Sequence, residues 1–311
     1  MTPRSPLLDL PGAVEGDHPD SGVAAHYGNP VAEQRRLVDG QGWVDLSHRD
    51  VVRVEGADRL AYLHAMTTQA FEGLRAGTWT HAMVLSPQGH IEHGFAGVDD
   101  GTAFIAHTEP GAGPALIAFL EQMKFMLRVD STLVPELAVL GRASGVELVP
   151  RIELVEVPAR WGPPSGVWAH EALRIEAGLP RIGLDTDHRT IPNELGLLGS
   201  VVALDKGCYR GQETVARVHT LGRPPRRLVR LHLDGSVDHL PAVGSPLLSD
   251  GRQVGFVGSS ARHHELGPIA LGLVKRSVDL DTPLTADGVA AAQELVVDPD
   301  VGLHVRPALG R

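Results

Sequence analysis

The sequence predicts an α+β protein: a body that contains a ferredoxin-like unit, followed by a small C-terminal β-barrel. Three observations carry this. Between about residues 50 and 140 the apolar pattern runs strand, helix, hairpin, strand, helix, strand. After Pro225 the helical spacing disappears, and short apolar runs alternate with Gly, Pro and Asp turns. At 311 residues the chain exceeds what one core usually covers, so two or three domains are expected. It divides into an arm (1–30), a body (31–225, with the ferredoxin-like unit at about 50–140) and a barrel (226–311).

The elements follow in order. Met1 to about Pro30 is rich in Pro, Gly, Asp and Ser without a period, which predicts a mobile or loosely attached arm whose Leu7, Leu8 and Leu10 could still dock on the body. A short helix is expected from Val31 to Val38, ending at Gly40. A strand at Val51 to Val54 leads into Gly56-Ala57-Asp58, which opens a helix with Leu60, Leu63 and His64 on one face. Trp79 to Leu85 alternates as a strand, Ser86-Pro87-Gln88-Gly89 turns, and Ile91 to Val98 returns. Asp99-Asp100-Gly101 turns again into Ala103 to His107. Pro114 suits the first position of an amphipathic helix reaching about Arg128, with Leu116, Leu120, Met123 and Leu127 on its buried stripe. Strands are expected near Thr132 and Leu137, a helix over Ala169 to Gly178 and a strand over Val201 to Leu204. A further helix starts at or after Gly211 and stops near Gly222, because Pro224-Pro225 cannot continue it. Barrel strands are expected at Leu228 to Leu233, Pro246 to Leu248, Gln253 to Gly258 and Ile269 to Val274.

Bulk properties exclude several function classes. A hydrophobic content of 42% is that of a folded soluble chain, and a net charge of -10 argues against direct nucleic-acid binding as the main activity. One cysteine permits no intramolecular disulfide and no Cys-rich metal or cluster site within the chain. No charged segment followed by an apolar one opens the sequence, and no apolar run is long enough to span a membrane, so a cytoplasmic protein without a membrane partner is expected.

That cysteine sits in the richest chemical segment of the chain, Lys206-Gly207-Cys208-Tyr209-Arg210-Gly211-Gln212-Glu213. The flanking predictions make this a strand-to-helix turn. Helix N-termini present free N–H groups and partial positive charge, and Lys206 and Arg210 add full charges, so an anionic group would suit the place. The same setting would favour the thiolate of Cys208, the candidate reactive group. A lone cysteine is more often a small buried apolar residue, but flanking cations make burial of this segment costly.

Three segments together fit a known pattern: Gly42-Trp43-Val44-Asp45-Leu46-Ser47, then Leu173-Arg174-Ile175-Glu176-Ala177-Gly178-Leu179-Pro180, then Lys206 to Glu213. Their order and spacing, with a terminal β-domain beyond, resemble the YgfZ-type folate-binding proteins, relatives of the glycine cleavage system aminomethyltransferase (T-protein). The resemblance covers roughly Ala32 onward, and the Lys206–Glu213 segment looks like the signature that separates the YgfZ type from the transferase. It implies a ring-shaped molecule in which a folate-binding body and a β-barrel surround a channel holding tetrahydrofolate. It gives Glu176 the role of meeting the pteridine, a sensible one because a carboxylate accepts paired hydrogen bonds from an aminopyrimidine edge. Arg174, Arg210, Arg217, Arg223, Arg226 and Arg227 are available for the glutamate tail, and Trp43 and Tyr209 for an aromatic face. The expected folate contacts are therefore Glu176, Trp43, Tyr209 and Arg217.

One departure bears on the reaction. The transferases carry a Gly-Gly-hydrophobic-hydrophobic-Asp-Asp pattern at the hairpin after Leu85, whereas this chain has Gln88-Gly89-His90-Ile91-Glu92-His93. No Asp pair is present, and Glu92 is the one available carboxylate. His90 and His93, on a strand, point to opposite faces and are not expected to share a metal. The His263-His264 pair reads as a solvated turn. The resemblance then implies a folate-dependent accessory factor for iron–sulfur cluster assembly or repair, with tRNA-modifying enzymes among its beneficiaries and iron–sulfur enzymes or assembly proteins as partners. The alternatives are a one-carbon transferase and, last, a Cys-nucleophile enzyme, whose nearest assignable base, His219, lies about 15 Å along the helix.

Overall fold

The computed structural model describes residues 4–304. The segment expected to be a mobile arm is instead packed on the body, apart from Met1 to Pro3, which lie outside the described residues. Ser5 accepts a hydrogen bond from the Leu7 N–H, capping a short 3-10 turn, and donates its hydroxyl to Asp45. Leu7, Leu8, Val23, Ala24 and Ala25 are buried, and β1 (Val14–Glu15) pairs antiparallel with β2 (Ala24–His26). A few apolar anchors fix a segment whose composition looks disordered. Helix α1 (Pro30–Val38) follows, with Asn29 accepting from the Ala32 N–H and Pro30 in its first turn. Then comes β3 (Trp43–Asp45).

The next unit comprises β4 (Asp50–Glu55), α2 (Arg59–Met66), β5 (Trp79–Leu85), β6 (Ile91–Asp99), β7 (Ala103–Thr108), α3 (Gly113–Met123) and β8 (Asp130–Leu133). Its five strands order as β5-β6-β7-β4-β8, every pair antiparallel. This is the ferredoxin-like order with one added strand between the helices. Both helices cover one face: Tyr62, Leu63, Leu116 and Leu120 pack on Val52, Val84, Phe95, Phe104 and Ala106. Helix α3 ends earlier than its stripe suggests. Leu116 and Leu120 are buried, but Met123 and Leu127 are 39% and 44% exposed. The chain must turn there, because β8 pairs with β4 from Asp130 opposite Glu55.

Strands β9 (Leu137–Arg142) and β10 (Gly145–Pro150) join β3 in a three-stranded sheet ordered β10-β9-β3. Helices α4 (Val157–Trp161) and α5 (Val167–Glu176) follow. The start of α5 lies against β2 so closely that a Cβ on Gly166 would sit 2.1 Å from the Ala25 carbonyl oxygen. Helix α6 (Gln212–Leu221) runs between Gly211 and Gly222, as its sequence punctuation predicts.

The C-terminal part is a closed barrel of β11 (Arg226–Leu233), β12 (Pro246–Ser249), β13 (Arg252–His263), β14 (Gly267–Lys275), β15 (Leu284–Ala286) and β16 (Val289–Leu295), ordered β11-β14-β13-β12-β15-β16. The last two strands have no clear local signal, since β15 is three residues and β16 is alanine-rich. They form because β11 offers a free edge that β16 closes. One core joins the ferredoxin-like unit, α5, α6 and the barrel: Met83, Leu85 and Ile91 from the β5–β6 hairpin, Ala172 and Ile175 from α5, Val215 from α6, and Leu228, Leu271 and Leu273 from the barrel. Among the described residues no helix is long and apolar enough to cross a membrane.

Candidate functional site

The Lys206–Glu213 segment forms an irregular loop leading into α6. No strand precedes it. The N–H groups of Val201 and Val202 both donate to the Leu197 carbonyl, and Val202 makes only an isolated bridge. Of this run only Val202 is buried, Leu204 is exposed, and the Ala203 N–H donates to the Thr68 carbonyl rather than to a strand.

Most of the loop's chemistry is committed internally. Lys206 Nζ donates to the carbonyls of His64, Thr67 (2.6 Å) and Gln69 (3.1 Å), capping the C-terminal end of α2. Desolvation pushes its ammonium down to about 8. Arg210 Nη1 pairs with Glu92 Oε2 of β6 at 2.5 Å, and its guanidinium lies 5.4 Å from the Phe119 ring centroid. Neither cation is left over for an anionic ligand, contrary to the reading from charge alone. Gly211, at φ +81°, packs on the hairpin turn, where an added Cβ would lie 2.5 Å from the Ser86 carbonyl oxygen. Gly89 faces it, with a Cβ position 2.9 Å from Thr214 Cβ. Gln212 Oε1 accepts from the Tyr209 N–H at 3.3 Å. Tyr209 is half-buried against the central core, and desolvation pushes its phenol up to about 12. Gly207 and Glu213 are exposed, and so is Cys208, the only thiol. The segment is thus a docked scaffold that presents one sulfur to solvent. Lys206→Met should therefore cost about 2–3 kcal/mol, because the α2 carbonyls lose a charged donor; a urea midpoint equal to wild type would refute the capping role.

Glu176 ends α5 with a side chain 43% exposed. Its Oε2 lies 3.2 Å from His263 Nε2, and its carbonyl accepts from Arg230 of β11. No hydrogen bond to Oε1 occurs among the described residues. Trp43 is not available to a ligand. It is 1% exposed, packs edge-on against Trp161 and donates its indole N–H to the Gly162 carbonyl. It is a core residue of the β10-β9-β3 sheet rather than the pocket wall its aromatic ring suggests. Of the six arginines considered for a folate tail, four are engaged. Arg174 pairs with Glu171 and Asp185, Arg210 with Glu92, and Arg226 with Asp187 and Glu194, while Arg227 is buried against backbone carbonyls. Arg217 and Arg223 are exposed and have no ion-pair partner among the described residues.

The His263-His264 pair is not a solvated turn: both side chains are buried. Gln34 holds the strand end, donating to the Arg262 carbonyl at 2.9 Å and accepting from the His264 N–H at 2.8 Å. His93 lies within β6, near the Phe119 ring, and His90 lies in the preceding turn. No group of three or more His, Cys, Asp or Glu side chains among the described residues is placed to hold a metal ion.

An ionic knot in the interior was missed by sequence reasoning. Arg181 contacts Asp20 (2.9 Å), Glu109 (2.6 Å) and Glu171 (3.1 Å). Arg174 bridges Glu171 (2.7 Å) and Asp185 (2.9 Å), and Asp185 accepts from the Ser259 N–H of β13 at 2.6 Å. Burial raises the Glu171 carboxyl, but Arg174 and Arg181 outweigh it and hold the group at about 2. Near the knot, desolvation pushes His170 down to about 4 and holds His107 well below the ordinary imidazole range. Both ring nitrogens of His107 are buried without a partner among the described residues. No local signal could have shown this: Asp20 and Arg181 are 161 positions apart.

With this geometry in hand, known proteins show what the chain is similar to. The fold is aminomethyltransferase-like: the crystal structure of glycine cleavage system aminomethyltransferase T from Bartonella henselae matches with a TM-score of 0.78 at 18% identity, covering 94% of this chain and 96% of that one. Residues 226–297 match the family described as CAF17, C-terminal beta-barrel domain. In sequence, the chain is 26% identical to an aminomethyltransferase of Thermotoga maritima, over 90% of this chain and 92% of that protein. It is 25% identical to a chloroplastic protein of Arabidopsis thaliana named as a transferase, over 87% of this chain and 73% of that protein.

Proposed function

We propose that this protein binds tetrahydrofolate or a reduced derivative and acts in the cytoplasm as an accessory factor for iron–sulfur cluster assembly or repair, supporting tRNA-modifying enzymes among others. The observation that carries this reading is the Arg210–Glu92 pair. At the hairpin where the transferases place their aspartates, the one available carboxylate is held by the arginine of the signature loop. Glu92 Oε2 is engaged by Arg210 Nη1 at 2.5 Å, so the hairpin's one carboxylate is committed to the loop rather than left free to meet a reacting nitrogen. The remaining residues suit a folate. Among the described residues Glu176 is a half-exposed carboxylate with one oxygen uncommitted, Tyr209 offers a half-buried ring, and Arg217 and Arg223 are unpaired cations for a tail. Bound tetrahydrofolate would supply a ring nitrogen that takes up one-carbon units. Cys208 alone cannot hold a cluster, so any cluster it touches is shared with a partner protein.

Two measurements test this. Titration of the purified protein with tetrahydrofolate should show binding, weakened about tenfold or more in Glu176→Ala through loss of a charge-assisted contact; a wild type that binds no reduced folate would sink the proposal. In cells lacking the protein, Cys208→Ala should fail to restore cluster-enzyme activity, and full restoration would remove the sulfur from the mechanism. A second reading, one-carbon transfer, is favoured by the near-full-length similarity to an aminomethyltransferase. Formation of methylene-tetrahydrofolate from an aminomethyl donor would establish it in place of the first.

A further inference from the structure

The Glu176 carboxylate is held by the barrel rather than by its own helix. Its Oε2 lies 3.2 Å from Nε2 of His263, the last residue of β13, whose side chain is 1% exposed. The other ring nitrogen, Nδ1, accepts the backbone N–H groups of Glu265 (3.2 Å) and Leu266 (3.1 Å). A nitrogen that accepts N–H groups carries no proton, so the single proton of the neutral ring sits on Nε2 and is donated to Glu176. Desolvation lowers the His263 imidazole below its ordinary value, against the opposing pull of Glu176, which keeps the ring neutral at neutral pH. The ring cannot easily swing away, because Gln34 of α1 pins the residues on either side of it, Arg262 and His264. Arg230 fixes the same glutamate from a second barrel strand, through its backbone carbonyl.

The choice of a neutral imidazole has a chemical consequence. An arginine here would occupy both carboxylate oxygens and cancel the charge. A single N–H donor takes one lone pair, leaves the negative charge, and leaves Oε1 open in a half-exposed position. We propose that His263 is a positioning residue: the barrel, through His263, orients Glu176 so that Oε1, together with the remaining lone pair of Oε2, meets a paired N–H donor edge of the ligand. This rests on the reading of Glu176 as a folate contact and deepens it, since it makes the barrel part of the binding site without touching the ligand.

The test is a double-variant cycle on tetrahydrofolate affinity in the full chain, with wild type, Glu176→Ala, His263→Phe and the double variant. His263→Phe should weaken binding about five- to twentyfold in the wild-type background and less than twofold when Glu176 is already alanine. Equal losses in both backgrounds, or no loss in the first while Glu176→Ala is impaired, would overturn the role of His263 alone. No binding by wild type would overturn the folate reading beneath it. Because His263→Phe also deprives two backbone N–H groups of their acceptor, imidazole nitrogen NMR of the wild-type protein gives a second check. A neutral ring protonated at Nε2 at pH 7 is expected; a charged ring, or a proton on Nδ1, would overturn the proposal.

Discussion

Replacing Arg181 by alanine is expected to cost about 3–5 kcal/mol of folding stability, the range for breaking a buried ion pair from one side. The side chain is 4% exposed and contacts three carboxylates from separate parts of the chain: Asp20 in the N-terminal segment, Glu109 after β7 and Glu171 in α5. Without the guanidinium these largely buried anions face one another with Arg174, His48 and Arg49 to offset them. Urea unfolding measures the loss, and its pH dependence identifies the cause. Glu171 is held at about 2, and Asp20 is held below the usual carboxylate range by His48 and Arg181 against its burial. Groups with depressed folded values stabilise fully above their unfolded values, near pH 4. That stability is lost as pH falls through the folded values. Wild type should therefore weaken steadily from about pH 4.5 toward 2, while Arg181→Ala, whose carboxylates are held down less, Glu171 by Arg174 and Asp20 by His48, should start lower and fall less. Parallel curves would show that the arginine contributes packing rather than charge.

The same knot shows why some features were legible in the sequence and others were not. Helix α6 was readable because its limits, Gly211 and Gly222, are local, and β5 because its alternation is local. Strand β16 was not, because Val289 to Leu295 becomes a strand only by pairing with β11. The N-terminal segment reads as disordered until Ser5 meets Asp45 and Asp20 meets Arg181. At the candidate site the sequence singled out the Lys206–Glu213 loop but not the state of its charges. Lys206 looked free because the acceptors that occupy it, at His64, Thr67 and Gln69, are about 140 residues earlier (separations of 142, 139 and 137). His263-His264 looked solvated for the same reason, since the Gln34 that pins it is 230 positions from His264. Sequence reveals which groups are present; partners brought by the fold decide which remain available.

Gly211→Val should destabilise the protein by about 2–4 kcal/mol, whereas Cys208→Ala, three residues earlier, should change stability by no more than about 0.5 kcal/mol. Gly211 sits at φ +81°, a conformation that a β-branched residue adopts only under strain. Space is as limiting as the dihedral angle. A Cβ there would lie 2.5 Å from the Ser86 carbonyl oxygen, 2.9 Å from Gly89 Cα and 3.0 Å from Leu85 Cβ. None of these is the end of a flexible side chain; two are turn backbone and the third belongs to a buried core residue. Relief requires α6 to move off the hairpin, which would also part Arg210 from Glu92. Cys208 is exposed, so its truncation opens no cavity. Thermal unfolding of the two variants side by side separates scaffold from exposed chemistry within one loop: a Gly211→Val protein as stable as wild type would mean that the loop is not docked as tightly as these contacts require, and a large loss in Cys208→Ala would mean that the sulfur is structural.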